Sequence, residues 1–89
     1  MQVSAELSLY PLDADYKSII TSFIHRLREQ PGIKLRTNQL STQLTGEYGS
    51  VMDALRLALE PTFAGAVGMS VVIKLLNVSI DPNDTREAV

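Results

Sequence analysis

The side chains best suited to bind a small polar molecule occupy two stretches of the sequence, one near the N-terminus and one in the middle. They are carboxylates, hydroxyls, amides and one phenol: Glu6, Ser8, Tyr10, Asn38, Ser41, Thr42, Gln43 and Glu47. Carboxylate and amide oxygens accept hydrogen bonds, whereas hydroxyls and the amide NH₂ also donate them. The set therefore favours recognition by hydrogen bonding, without a metal ion or a reactive thiol.

The composition excludes several classes of function. The chain of 89 residues has no cysteine and one histidine, His25, so disulfides, thiolate chemistry and cysteine-bound metals are ruled out. Eight basic against ten acidic residues give a net charge of −2, which argues against nucleic-acid binding. No apolar run approaches the roughly 20 residues of a membrane span, so no membrane partner is expected. The absence of cysteine suits a cytoplasmic protein.

The hydropathy pattern predicts six elements in the order β-α-β-β-α-β. Residues 2–10 alternate as a half-buried strand, and short strands follow at 33–38 and 41–46. The first helix is expected to start after a cap at Asp13 or Asp15 and to stop at Pro31. The second helix should start near Tyr48, and Pro61 should end it or force a fresh turn, with a loop over 62–68 and a last strand over 69–80.

This order predicts an α+β, ferredoxin-like two-layer sandwich with a four-stranded antiparallel sheet and both helices on one face. Residues 1–80 should form the single domain, and 81–89 a polar C-terminal tail. Strand alternation sends Thr42 to the helix side of the sheet and Ser41 and Gln43 to the open side. The set expected to face the helices is Val3, Ala5, Leu7, Leu9, Leu35, Leu44, Val71 and Ile73.

The open face has two features that need partners. Val72, Leu76 and Val78 form an apolar flank, which a second copy of the chain would cover, unless the last strand ends earlier and these residues pack inside. Glu6 sits in mid-strand, where it pairs either with Lys74 on the neighbouring strand or with a ligand. Glu47 could likewise contact a ligand or complement the dipole of the second helix.

One stretch carries a family resemblance. Residues 37–47, TNQLSTQLTGE, are followed by Tyr48 and by VMDAL at 51–55; the opening VSAELSLYPL at 3–12 and the closing VIK at 72–74 extend the match. These segments resemble the thiamine-binding protein family, whose members bind thiamine or its hydroxymethylpyrimidine moiety. The resemblance implies a ferredoxin-like fold, dimers or dimers of dimers, no catalytic activity and no cofactor.

The resemblance also implies a use for the polar side chains identified above. Carboxylate and amide oxygens would accept from the exocyclic amine of an aminopyrimidine, hydroxyls and an amide NH₂ would donate to its ring nitrogens, and Tyr10 would offer a ring surface. The leading hypothesis is a non-enzymatic binder of a thiamine-like pyrimidine. The alternatives are a structural or regulatory oligomer that binds another metabolite or none, and an enzyme that uses Glu6 or Glu47 as an acid–base group.

Overall fold

The elements follow the predicted order in the computed structural model, which describes residues 1–66 and 68–86. Their bounds are β1 Gln2–Pro11, α1 Tyr16–Arg28, β2 Ile33–Thr37, β3 Thr42–Glu47, α2 Tyr48–Gly65 and β4 Met69–Leu76. The strands form one antiparallel sheet in the order β2-β3-β1-β4. The predicted ferredoxin-like fold is confirmed. Val67 of the predicted loop and residues 87–89 of the predicted tail lie outside the described residues.

The core lies between β1, β3 and the two helices. Alternation along β1 sends Val3, Ala5 and Leu7 inward, where each is at least 97% buried. Phe23 and Leu27 of α1 are four residues apart, so they lie on one helical face, and both are fully buried. Burying apolar surface at about 25 cal/mol per Å² makes this contact layer the main source of stability.

The helices cover three strands and leave β4 bare. Ile73 lies on the helix side, as predicted, but it stays 42% exposed, and Leu75 beside it stays 46% exposed. The predicted side of Ile73 is therefore correct, but the helices do not bury it. The first helix packs on β1, and the second packs on β1, β3 and β2. The remaining strand, β4, lies at the edge of the sheet, outside these main helix contacts.

The second helix continues through Pro61 to Gly65, so Pro61 does not end it, and the predicted loop is wrong for residues 62–65, which are helical. Proline in a helix interior costs about 3 kcal/mol. Tertiary packing offsets this cost, because Thr62 is buried against α1 and its hydroxyl accepts a hydrogen bond from Arg26 Nη1 at 3.0 Å. The same hydroxyl donates to the backbone carbonyl of Ala58 at 2.8 Å and so bridges the helical turn that contains Pro61.

The start of the first helix also differs from the prediction. Asp15 occupies the N-cap position of α1 without a side-chain capping bond. Asp13 Oδ1 instead accepts from the backbone N–H of Asp15 at 2.8 Å and tightens the preceding turn. Among the described residues, no helix is both long and apolar enough to cross a membrane.

The last strand stops at Leu76, four residues before the predicted end at Ile80. The chain then turns across the open face of the sheet as a segment that we call the C-terminal strap, residues 77–84. The buried hydroxyl of Ser4 donates to the carbonyl of Val78 and accepts from the N–H of Ile80, both at 2.8 Å. Because Ser4 satisfies these backbone groups, the strap needs no strand partner, and Val78 lies outside β4.

Candidate functional site

Five of the eight predicted binding residues meet around one cavity of about 250 Å³, which we call the loop pocket. It opens where β1 ends, between the β2–β3 loop and the middle of α1. The five are Ser8, Tyr10, Asn38, Ser41 and Thr42. The remaining lining residues are Leu7, Leu9, Ile20, Phe23, Ile24, Thr37, Gln39 and Leu40.

The pocket exists because β3 is shorter than β1 at this end. Pairing between β1 and β3 stops at Leu7 and Thr42, whereas pairing between β1 and β4 continues to Pro11 and Met69. Ser8 to Tyr10 therefore have a strand neighbour on one side only. Because backbone N–H and C=O groups of a strand alternate between its two sides, some of those in this stretch face the pocket.

The β2–β3 loop is held in shape by Asn38. Its side-chain Oδ1 accepts from the backbone N–H of Leu40 at 2.9 Å and of Ser41 at 3.1 Å. The backbone N–H of Asn38 also donates to the carbonyl of Ser41 at 3.1 Å. This is an Asx turn closed by a backbone bond, so the wall of the pocket is set by the asparagine itself. Within the described residues, the side-chain NH₂ of Asn38 makes no hydrogen bond and can donate to a ligand.

Among the described residues, no charged side chain lines the loop pocket. Its floor is apolar, with Phe23 fully buried and Ile20 and Ile24 on the same helical face. Thr42 lies on the helix side, as predicted, and is 6% exposed, with its hydroxyl 3.0 Å from that of Thr37. A neutral ring with hydrogen-bonding groups on its edge suits this combination of floor and rim.

Ser41 and Gln43 lie towards the open face, as predicted, and connect to Glu6. Gln43 Nε2 donates to Ser41 Oγ at 2.7 Å, and Ser41 Oγ donates to Glu6 Oε2 at 3.0 Å. Lys74 Nζ lies 3.9 Å from Glu6 Oε1, so of the two partners considered for Glu6, a lysine or a ligand, the lysine lies within ion-pair distance. Both side chains remain substantially exposed, which makes this a loose, solvent-screened pair.

Glu6 and Gln43 belong to a second cavity, of about 310 Å³, which we call the open-face cavity. One of its walls is formed by the C-terminal strap. The lining residues are Ser4, Ala5, Glu6, Gln43, Leu44, Lys74, Leu76, Ile80, Asp81, Pro82 and Asp84. The two cavities share no lining residue, but one hydrogen bond links their walls: Ser41 lines the loop pocket, and its hydroxyl donates to Glu6 of the open-face cavity.

Glu47 is not brought together with the other predicted residues. It lies at the far end of β3, where its carboxylate is 2.6 Å from the α-ammonium group of Met1 and accepts from Gln2 at 3.3 Å. The hydrogen bond from that ammonium group lowers the pKa of the Glu47 carboxyl below its ordinary value. Gly46 beside it is a packing position, because a Cβ there would lie 2.5 Å from the carbonyl oxygen of Gly32.

Two groups of lining residues were missed by the sequence reasoning. Ile20, Phe23 and Ile24 recur at the spacing of one apolar helical face, and nothing in that spacing shows that one end of the core is open. Gln39 and Leu40 read as a tight connection after a strand that reaches Asn38, whereas β2 ends at Thr37 and Asn38 belongs to the loop. The spacing of Asn38 ahead of Leu40 was the available signal, since an asparagine two residues before a turn N–H is typical of an Asx turn.

Solved structures share this architecture. A Streptococcus pneumoniae protein has a TM-score of 0.79 and 28% identity, over 90% of this chain and 89% of that one. A Thermotoga maritima protein provisionally assigned to thiamine biosynthesis or salvage has a TM-score of 0.74 and 15% identity, over 85% and 83%. A designed protein with the ferredoxin fold has a TM-score of 0.51 and 8% identity, over 100% and 96%. The last two show the fold alone. No curated protein matches the chain.

The family assignment comes from a match to a family model. That model describes the YKOF-related family and matches residues 2–78, from the first residue of β1 into the C-terminal strap. The match covers every element that lines the loop pocket. The chain therefore belongs to the YKOF-related family.

Proposed function

We propose that this chain is a non-enzymatic binding protein for thiamine or its hydroxymethylpyrimidine moiety, with the pyrimidine ring in the loop pocket. The observation that carries the proposal is an uncharged cavity with an apolar floor and a hydrogen-bonding rim. Asn38 and Thr42 supply the side-chain groups of that rim, and residues 8–10 of β1, which have a strand neighbour on one side only, add backbone donors and acceptors. The thiamine-related assignment of the Thermotoga maritima neighbour agrees with this reading.

The size and charge of the pocket favour the pyrimidine over the rest of thiamine. About 250 Å³ falls just below the range of about 300–1,000 Å³ that encloses drug-sized ligands, so one ring fits more readily than two. The lining holds no carboxylate to neutralise a thiazolium cation. In this arrangement the thiazolium ring stays outside the pocket, in water.

Calorimetric titration tests the proposal directly. Hydroxymethylpyrimidine and thiamine should bind with similar affinity, because both place the same ring in the pocket. Thr42→Val keeps the shape of the side chain and removes a hydroxyl from the rim, so it should weaken both ligands. Thr21→Val, on the exposed side of α1, is the matched control and should bind like the wild type. The absence of heat with every pyrimidine would contradict the proposal.

We also propose that copies of this chain contact one another through Val72 and Leu76 of β4 and Val78 of the adjoining strap. Three observations support this: β4 is an edge strand, no helix covers it, and Val72 and Val78 are 59% and 48% exposed. An unpaired apolar edge of this kind is normally covered by another chain.

Sedimentation of charge variants tests the contact. Leu76→Asp should give a species of lower mass, because it places a charge in an apolar interface at a cost of several kcal/mol. Val72→Asp should do the same without disturbing the fold, since Val72 is more exposed than Leu76. Leu57→Asp, at an exposed leucine of α2, is the control and should leave the mass unchanged. An unchanged mass for both β4 variants would refute the contact.

A further inference from the structure

The open-face cavity offers a second set of recognition groups, separate from those of the loop pocket. Gln43, Glu6 and Lys74 lie opposite one another on β3, β1 and β4, so they form one row across the sheet. In an antiparallel sheet, directly opposed residues project from the same face. All three line the cavity of about 310 Å³.

Each member of the row has hydrogen-bonding capacity that the described residues do not use. The ammonium group of Lys74 is 3.9 Å from Glu6 Oε1, which is an ion pair but too long for a hydrogen bond. Glu6 accepts through Oε2 from Ser41 and keeps Oε1 available. Gln43 donates its NH₂ to Ser41 and keeps its side-chain oxygen available. The row therefore presents one cationic donor beside one anionic and one neutral acceptor.

The opposite wall of the cavity is part of the C-terminal strap and combines two apolar side chains with two carboxylates. Ile80 and Pro82 of the strap face the cavity together with Leu76 of β4. The two strap carboxylates already have partners: Asp81 lies 4.0 Å from Lys34, and Asp84 lies 2.6 Å from Arg86. The hydroxyl of Ser4 holds this wall against the sheet through its bonds to Val78 and Ile80.

We propose that the open-face cavity binds a zwitterionic α-amino acid with an apolar side chain. The carboxylate of the ligand would take the place of water on Lys74, and its ammonium group would donate to Glu6 and Gln43. Its side chain would pack against Ile80 and Pro82 of the strap. A zwitterion matches this row because it neutralises both charges of the loose pair, whereas a singly charged ligand leaves one of them uncompensated.

L-leucine is the probe, and two analogues that each lack one charged group are its controls. Leucine should raise the melting temperature, and calorimetry should give a dissociation constant about tenfold to a hundredfold lower than for 4-methylpentanoate or 3-methylbutylamine. Lys74→Gln should weaken leucine by a similar factor. Lys17→Gln, at an exposed lysine on α1, should have no effect. Glu6→Gln should weaken leucine strongly, since it removes the charge that faces the ammonium group.

Hydroxymethylpyrimidine separates this inference from the proposed function. Lys74 is absent from the loop pocket, so Lys74→Gln should bind the pyrimidine like the wild type, and leucine should not compete with it. Three results would overturn the inference: no leucine-dependent shift at millimolar concentration, equal binding of leucine and its singly charged analogues, or wild-type leucine binding by Lys74→Gln. None of these results would bear on the pyrimidine in the loop pocket.

Discussion

Asn38 should have two separable roles, one in the shape of the loop pocket and one in ligand recognition. Its Oδ1 accepts from two backbone N–H groups, of Leu40 and Ser41, while its NH₂ remains available to a ligand. Asn38→Ala removes both the acceptor and the donor. Asn38→Asp keeps the acceptor and replaces the donor with a second, anionic oxygen. The two variants therefore separate the structural role from the recognition role.

The expected loss of stability follows from the two hydrogen bonds that Asn38 Oδ1 accepts and from their exposure to water. Each lost hydrogen bond is worth about 0.5–1.5 kcal/mol, and the low end applies because Asn38 is exposed and the freed N–H groups can hydrate. Asn38→Ala should therefore cost about 1 kcal/mol, which lowers the melting temperature of a domain of this size by about 4–8 °C. Asn38→Asp should stay within about 3 °C of the wild type, as expected for a surface change of under 0.5 kcal/mol.

Ligand affinity should follow a different order. Asn38→Asp should bind hydroxymethylpyrimidine about tenfold more weakly than the wild type, because it removes a donor and places a charge in an uncharged pocket. Asn38→Ala should lose both stability and affinity. Thermal melts with and without ligand, together with calorimetry, measure both effects. Asn83→Ala and Asn83→Asp, at an exposed asparagine of the strap, are the matched controls. Wild-type stability and affinity in Asn38→Ala would refute the reasoning.

Three further predictions concern Ser4, which holds the strap, Tyr10, which lines the loop pocket, and Pro61, which lies inside α2. Ser4→Ala should cost about 1–3 kcal/mol and speed hydrogen exchange at the Ile80 N–H, which loses its acceptor; unchanged exchange would contradict the strap contact. Tyr10→Ala should weaken the pyrimidine by about 0.5–1.5 kcal/mol in calorimetry, whereas Tyr10→Phe should not; equal affinities would exclude ring contact. Pro61→Ala should stabilise the protein by about 1–2 kcal/mol in urea unfolding, because alanine restores the helical N–H; a lower midpoint would show that the proline relieves strain.

Stability and ligand binding should also respond separately in these variants. Ser4 and Pro61 lie outside the lining of the loop pocket, so their replacement should change the melting temperature and leave pyrimidine affinity intact. Tyr10 is exposed and belongs to the lining of the loop pocket, so its replacement should lower pyrimidine affinity and leave the melting temperature unchanged.

The sequence by itself determined the order of the elements and the face on which each side chain lies. Alternation along residues 2–10 places Val3, Ala5 and Leu7 on one side of β1, and the spacing of Phe23 and Leu27 places them on one side of α1. These are local properties, because strand and helix periods repeat over a few residues. The sides of Thr42 and Gln43 were predictable for the same reason.

Only the tertiary structure decided where strands end relative to one another. The loop pocket depends on the pairing of β1 with β3 stopping at Leu7, while its pairing with β4 runs to Pro11. The period of an isolated strand carries no information on the length of its neighbour. The same register places Glu6 and Gln43 in the open-face cavity and leaves Glu47 at the far end of β3.

Tertiary contacts also overrode two local signals near the C-terminus. Pro61 normally ends a helix, but α2 continues because Thr62 is held by Arg26 of α1. Beyond Leu76, the alternating apolar residues Val78 and Ile80 predict that the strand continues. Instead, Ser4, more than seventy positions earlier in the sequence, hydrogen-bonds to the backbone of both residues and holds the chain across the sheet. A long-range hydrogen bond to a buried hydroxyl can outweigh local propensity, because an unsatisfied buried polar group costs about 1–3 kcal/mol.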